Sequence, residues 1–343
     1  MISPDSFIRP FPFFMYERGI VVKGKFAYLI CILSVMGLLF TGCASQSQDK
    51  AITKSSGDYL QMTDDAGRLV VLPKKPQRIV VLSTSYLDVL YGIGGKAVGR
   101  PSSKTPQTFP ASQDLPEVGF VYNVNSEQVL ALQPDLVIGF QGIHDKLVPI
   151  LESSKIPVMI LKMKTYDDIL AKVKLFGDIA GTQEQAQSLL TEMQTKINGV
   201  TAKLPAQSKR VVILHATAKN VTVELENTIA GNVANILKIK NIAADSTPMV
   251  GDGEVTPYSL EKLVEGDADI ILVVTMGNMT EIEKRMKADI ESNPAWNGLR
   301  AVKTGKVFFL PGELFQLNPG IRFHESVEYM AKVVYPEVYG NVK

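Results

Sequence analysis

Six short apolar runs, none of them broken by a polar residue, govern what this chain can fold into: "IVVL" at 79–82, "LVIGF" at 136–140, "VMIL" at 158–161, "VVIL" at 211–214, "IILVV" at 270–274 and "VFFL" at 307–310. A strand with one wet face alternates apolar and polar residues. A continuous run needs cover on both faces, as in parallel sheets flanked by helices. Between the runs, Tyr166, Ile169, Leu170, Val173, Phe176 and Ile179 recur at helical spacing, and so do Leu189, Leu190, Met193, Ile197, Val200 and Leu204. Strand and helix alternate on both sides of the long segment 182–204. The expectation is an α/β fold of two Rossmann-like lobes with mostly parallel sheets, joined by one long α-helix. The lobes are expected at 61–180 and 206–343, with the linking helix at 181–205.

The two halves echo each other. Residues 126–138 read "SEQVLALQPDLVI" and residues 260–272 read "LEKLVEGDADIIL". Each has a glutamate, an apolar pair, an aspartate eight residues after the glutamate, and then a strand. Glu127 and Asp135 match Glu261 and Asp269. The pattern predicts a helix starting near each glutamate and a turn at each aspartate that feeds a strand.

The start of the chain carries a second signal. Phe26 to Phe40 ("FAYLICILSVMGLLF") is uncharged and follows Lys23 and Lys25. Fifteen residues fall short of the roughly 20 that a bilayer-crossing helix needs, so the segment reads as an export signal. Thr41 and Gly42 precede Cys43, and polar low-complexity sequence follows at once. Together they resemble a bacterial lipobox, with Phe40 where leucine is usual; the alternative is a short membrane helix with an incidental cysteine. On the lipobox reading, residues 1–42 are a signal peptide and Cys43 carries the lipid anchor. The serine- and glutamine-rich residues 43–60 then form a flexible tether. Asp5, Pro10, Pro12 and Glu17 are foreign to such a leader and place the start of translation near Met15 or Val22.

Composition excludes several functions. The 36 basic and 35 acidic residues balance, so nothing suggests a nucleic-acid footprint. Of the two cysteines, Cys31 falls in the leader and Cys43 at the cleavage point, which leaves the folded part without thiol or disulfide. There is no Gly-x-Ser-x-Gly elbow and no mature cysteine nucleophile, so an exported hydrolase lacks its usual machinery. "GIGGKAVG" at 92–99 follows a helix pattern rather than a strand and reads as a helix-ending turn, not a phosphate loop. "HESVE" at 324–328 lacks the second histidine of a zinc protease motif. His324 is read as part of a solvated helix face.

Four stretches, "RIVVLSTSYLDVLYGIG", "LALQPDLVIGF", "NPAWNGLRAVKTGKVFFLPG" and "NPGIRFHESVEYMAKVVYPE", together resemble the substrate-binding lipoproteins of ABC importers for ferric siderophores, haem and cobalamin. The resemblance runs from about Thr63 to Tyr339. It implies a non-enzymatic receptor, likewise a monomer, that binds its solute between two lobes on the outer face of the membrane. The solute would be transported cargo, a ferric siderophore or haem, rather than an intrinsic cofactor. Cobalamin, another metal complex or an oxyanion is the alternative cargo, and an exported α/β enzyme the alternative function. The partners it implies are an ABC permease with its ATPase, met by one exposed carboxylate on each lobe. The matching positions are Glu127 and Glu261, which could equally be helix-start acids favoured by the helix dipole.

Ligands in open α/β sheets bind beyond the carboxyl ends of the strands. That rule places Tyr86, Gln141, His215, Met276 and Met279 in the cleft, with Tyr122 from the loop 119–125. In haem receptors of the resembled family an axial methionine stands where Tyr122 is and an axial histidine where Met276 is. Tyrosine and methionine both ligate haem iron elsewhere, so Tyr122 and Met276 are metal-ligand candidates if the cargo is haem and cleft lining otherwise. Asn318-Pro319 reads as the start of the last long helix. Arg322 beside it is expected either to hold an anionic group of the ligand or to pair with Glu325 or Glu328.

Overall fold

The computed structural model describes residues 57–342 except 105, 278, 293 and 317. The expected signal peptide, Cys43 and most of the tether, as well as Asn278 in the loop after the fifth run, lie outside the described residues.

The amino-terminal half opens with an antiparallel hairpin of β1 (Leu60–Thr63) and β2 (Leu69–Leu72). β3 (Ile79–Val81) leads into α1 (Thr84–Gly92), which ends in a turn where Gly94 adopts φ 77°. The glycine-rich stretch is therefore a helix stop, as its position after a helix pattern implied. A small hairpin, β4 (Gly119–Phe120) and β5 (Asn123–Val124), precedes α2 (Ser126–Ala131). β6 (Leu136–Phe140) and β7 (Val158–Leu161) complete a parallel sheet in the order β3-β6-β7. α3 (Tyr166–Ala180) starts on a capping box between Thr165 and Asp168 and stops at Gly181, which is left-handed at φ 64°. α4 (Gln183–Thr201) follows directly.

The carboxyl-terminal half is a six-stranded sheet. β8 (Arg210–Thr217) turns back into β9 (Val221–Glu224), and α5 (Ile229–Ile236) is capped by the Thr228 hydroxyl accepting from Gly231 N–H. β10 (Lys240–Asn241) and β11 (Val255–Pro257) precede α6 (Leu260–Gly266) and β12 (Ile270–Met276). β13 (Val307–Phe309) and α7 (Phe323–Val334) follow. β10, β12 and β13 join β8 in a parallel set, whereas β9 and β11 add an antiparallel edge. That edge departs from the purely strand–helix alternation of the sequence reading. β8 runs on to Thr217, three residues past its apolar run, because its far end pairs with β9 rather than ending in a loop.

The continuous apolar runs have the cause inferred for them. In β3, Ile79 and Val81 enter one core while Val80 enters another; in β12, Ile270, Leu272 and Val274 enter the shared core and Ile271 and Val273 an outer one. The shared core takes side chains from both halves and is closed by α4 (Met193, Ile197), α5 (Val233) and α7 (Phe323, Val327, Met330). Tyr166 of α3 stacks on Phe323 of α7, with centroids 5.5 Å apart.

The sequence echo is a repeated structural joint. Asp135 accepts backbone N–H bonds from Gln77 and Arg78 at 2.8 and 2.7 Å, where β3 begins. Asp269 accepts from Arg210 N–H at 2.9 Å, where β8 begins. Two residues before each aspartate the chain turns left-handed, at Gln133 (φ 46°) and Asp267 (φ 42°). The guanidinium groups of Arg78 and Arg210 donate to carbonyls at the ends of the two helices, Leu132 and Gly266. The aspartate–arginine lock thus ties each helix end to the first parallel strand of its sheet.

Candidate functional site

A cleft of about 500 Å³ opens where the parallel strands end, and its wall is mainly apolar. One side comes from the segments after β3, β6 and β7, including Ser85, Phe140, Met163 and Lys164. The other comes from β8, β9, the start of α5 and the end of β12, including His215, Glu224, Ile229 and Met276. Both halves therefore contribute, and an ion pair between Lys164 and Glu254 joins them across the opening.

Of the residues singled out from the sequence, Tyr122, His215 and Met276 line this cleft. Tyr122 and Met276 are 65% and 47% exposed, so a bound solute would reach both without displacing the core. Tyr122 sits on the β4–β5 hairpin, and buried His144 holds that hairpin in place. His144 Nδ1 accepts from Phe140 N–H at 2.7 Å, so Nε2 carries the proton and donates to the Val121 carbonyl at 2.8 Å. Burial pushes the His144 pKa down, which keeps the ring neutral and this bonding pattern intact. His215 Nδ1 bonds Glu224 Oε1 at 2.9 Å, and this bond outweighs burial to hold the imidazole above its ordinary pKa.

Other expectations are corrected. Tyr86 is a core residue with no exposed surface; its hydroxyl donates to the Leu161 carbonyl at 2.7 Å and its ring stacks on Phe140. The residue lies on the inward face of α1, one position beyond the Ser83–Ser85 stretch that does reach the cleft. Gln141 turns away to donate to the Asp65 carbonyl near the β1–β2 hairpin. Met279 is exposed but begins the next helix, outside the cleft wall. Of the two roles open to Arg322, the structure shows the pairing, with Glu325 at 3.2 Å, and the residue lies outside the cleft wall. The last long helix begins at Phe323 after a 3-10 turn, with Asn318 Oδ1 accepting from Gly320 N–H, and not at Asn318-Pro319. His324 is half-buried rather than solvated, and burial lowers its pKa.

Glu127 and Glu261 stand exposed in the first turns of α2 and α6, capped by Asn125 and Ser259. They occupy equivalent places in the two halves, set by the same aspartate lock.

Sequence reasoning missed the cleft's carboxylates, Glu224, Asp252 and Glu254. They arrive on the antiparallel edge, Glu224 at the end of β9 and the other two in the turn before β11. The alternation in "VTVE" at 221–224 was the available signal.

A fold of two α/β halves with a shared cleft at their strand ends is that of a solute receptor, and the comparisons place it. The chain belongs to the periplasmic binding protein family, whose model matches residues 79–314. It is 24% identical to the Bacillus subtilis ABC transporter substrate-binding lipoprotein YvrC, over 92% of this chain and 99% of that protein. It is 27% identical to the Bacillus subtilis Fe(3+)-citrate-binding protein YfmC, over 91% of this chain and 97% of YfmC. The crystal structure of Staphylococcus aureus IsdE complexed with heme shares the fold, with a TM-score of 0.64, 22% identity and coverage of 75% of this chain and 98% of that one. Substrate-binding proteins of this kind work with a permease and an ATPase, and they are receptors rather than enzymes.

Proposed function

We propose that this protein is the receptor of an ABC importer for an iron complex, held at the outer face of the membrane by a lipid on Cys43. The observation that carries the reading is the cleft itself. Its volume of about 500 Å³ falls in the range of small-molecule sites, roughly 300–1,000 Å³, and both halves build it at the strand ends. Iron chelation enters through relatives, one named for ferric citrate and one solved with haem. Tyr122 and Met276 line the cleft, and with haem as cargo they serve as axial donors, with His215 in the same wall. Glu127 and Glu261 are the docking carboxylates for the permease. Residues 61–180 and 206–343 act as the two lobes, and 181–205 as their connector, in a monomer.

Equilibrium dialysis of the full chain in detergent against radio-iron chelates and haem tests this. At least one should bind with micromolar or tighter affinity. Thr222→Trp, which fills the cleft from β9, should weaken that binding about tenfold or more while the protein still melts cooperatively. Failure of every iron chelate and of haem to bind would overturn the reading.

A further inference from the structure

The charged side chains of the cleft are unequally divided. Glu224, Asp252 and Glu254 stand on the carboxyl-terminal half, against Lys164 and His215. Lys164 pairs with Glu254, and His215 with one oxygen of Glu224. Asp252 Oδ1 accepts a backbone bond from Glu254 N–H at 3.0 Å and pairs with no cation among the described residues. Three carboxylates against one ammonium leave two negative charges with His215 neutral and one with it protonated. The starts of α1 and α5 also reach the cleft, and a helix start carries about half a positive charge, which offsets part of this excess.

Glu224 supplies an independent observation. The residue is 3% exposed, and its second oxygen, Oε2, is buried without a hydrogen-bond partner among the described residues. A buried carboxylate oxygen without a donor is costly. A ligand that brought a donor to it would recover that loss on binding. A ligand that brought another carboxylate would add repulsion to it.

We infer that the cleft selects a metal chelate that carries a protonated amine, seated against Glu224, Asp252 and Glu254, over chelates whose outer groups are carboxylates. This rests on the receptor reading above and goes beyond it by fixing the charge of the cargo. It also separates this chain from a relative named for ferric citrate, whose ligand is anionic. The acidic wall belongs to the antiparallel edge β9–β11, so the preference is built by one half of the molecule, while the other half supplies apolar surface from Phe140 and Met163.

The test is competition dialysis on the full chain in detergent at pH 7.5 and low salt. Three probes are compared: a linear ferric trihydroxamate ending in a primary ammonium, the same chelate N-acetylated at that amine, and ferric citrate. The ammonium chelate should bind at least about tenfold more tightly than its acetylated form, with ferric citrate weakest. Asp252→Asn, at an exposed position, and Glu224→Gln should each shrink that ratio, with melting curves confirming that the variants fold. Equal binding of the ammonium and acetylated chelates, or tighter binding of ferric citrate, would refute the inference while leaving the receptor reading intact. Binding of haem with none of the three would also refute it. If neither haem nor any chelate binds, the receptor reading falls with it.

Discussion

Asp88 offers the sharpest test of the packing described above. It sits on the buried face of α1 with one oxygen, Oδ2, accepting from the Thr108 hydroxyl at 2.9 Å, and the other, Oδ1, without a partner among the described residues. Burial raises its carboxyl pKa from 3.8 to about 6, against the opposing pull of the Thr108 bond and of the Arg322 charge. A folded-state pKa above the unfolded one makes the ionised group a liability. Below pH 3.8 the carboxyl is protonated in both states and nothing is lost. As pH rises, the unfolded chain ionises first and stability falls, until the folded carboxyl also ionises near pH 6. At about 1.4 kcal/mol per pKa unit the full loss is roughly 3 kcal/mol. Asp88→Asn removes the charge and keeps the Thr108 bond, but leaves a buried amide donor that reclaims about 1 kcal/mol. The net gain at pH 8 is about 2 kcal/mol, or roughly 3 °C in melting temperature for a domain of this size. Melting curves of the wild type and Asp88→Asn between pH 8 and pH 4 measure it. The gap should be widest at pH 7–8 and close towards pH 4. A variant no more stable at pH 8, or a gap independent of pH, would refute the reasoning.

Three further outcomes follow from particular contacts. Tyr86→Phe removes one buried bond while the Leu161 carbonyl keeps its bond from Gln141 N–H, so stability should drop by about 1 kcal/mol with ligand affinity unchanged; an affinity loss at constant stability would return Tyr86 to the cleft. Gly231→Ala would put a Cβ 1.9 Å from the Leu225 carbonyl, so α5 must shift, lowering stability by about 2 kcal/mol or more and weakening binding at the cleft it borders; thermal melts and dialysis report both. Glu127→Ala with Glu261→Ala should leave dialysis affinity untouched and abolish iron uptake by cells, and normal uptake would remove the docking role.

Much of the fold was legible because its parallel strands are buried on both faces, and such burial writes continuous apolar runs into the chain. Each of the six runs coincides with a strand. The repeated helix–turn–strand joint was also legible, since an aspartate locking a strand start must sit at a fixed distance from the helix before it. The cleft was harder to see. The rule of strand ends led to His215 and Met276, but it could not tell which way a side chain faces on the following helix, and so Tyr86 was placed in the cleft instead of the core. It gave no account of an antiparallel edge folding back over the strand ends, so Glu224, Asp252 and Glu254 went unseen. Arg322 left two readings open because a helix start, a cation and two nearby acids lay together, and Glu325, one turn further, is the partner it takes.

The central claim is that both halves close on one solute between them. Hydrogen exchange of the full chain, empty and loaded with whichever iron complex binds, tests it most directly. On loading, the amides of 83–85, 121–122 and 163–164 in one half and of 215–224 and 276 in the other should slow together, while the exposed starts of α2 and α6 at Glu127 and Glu261 stay unchanged. Protection confined to one half, or spread over the outer surface and absent from the cleft, would contradict the account.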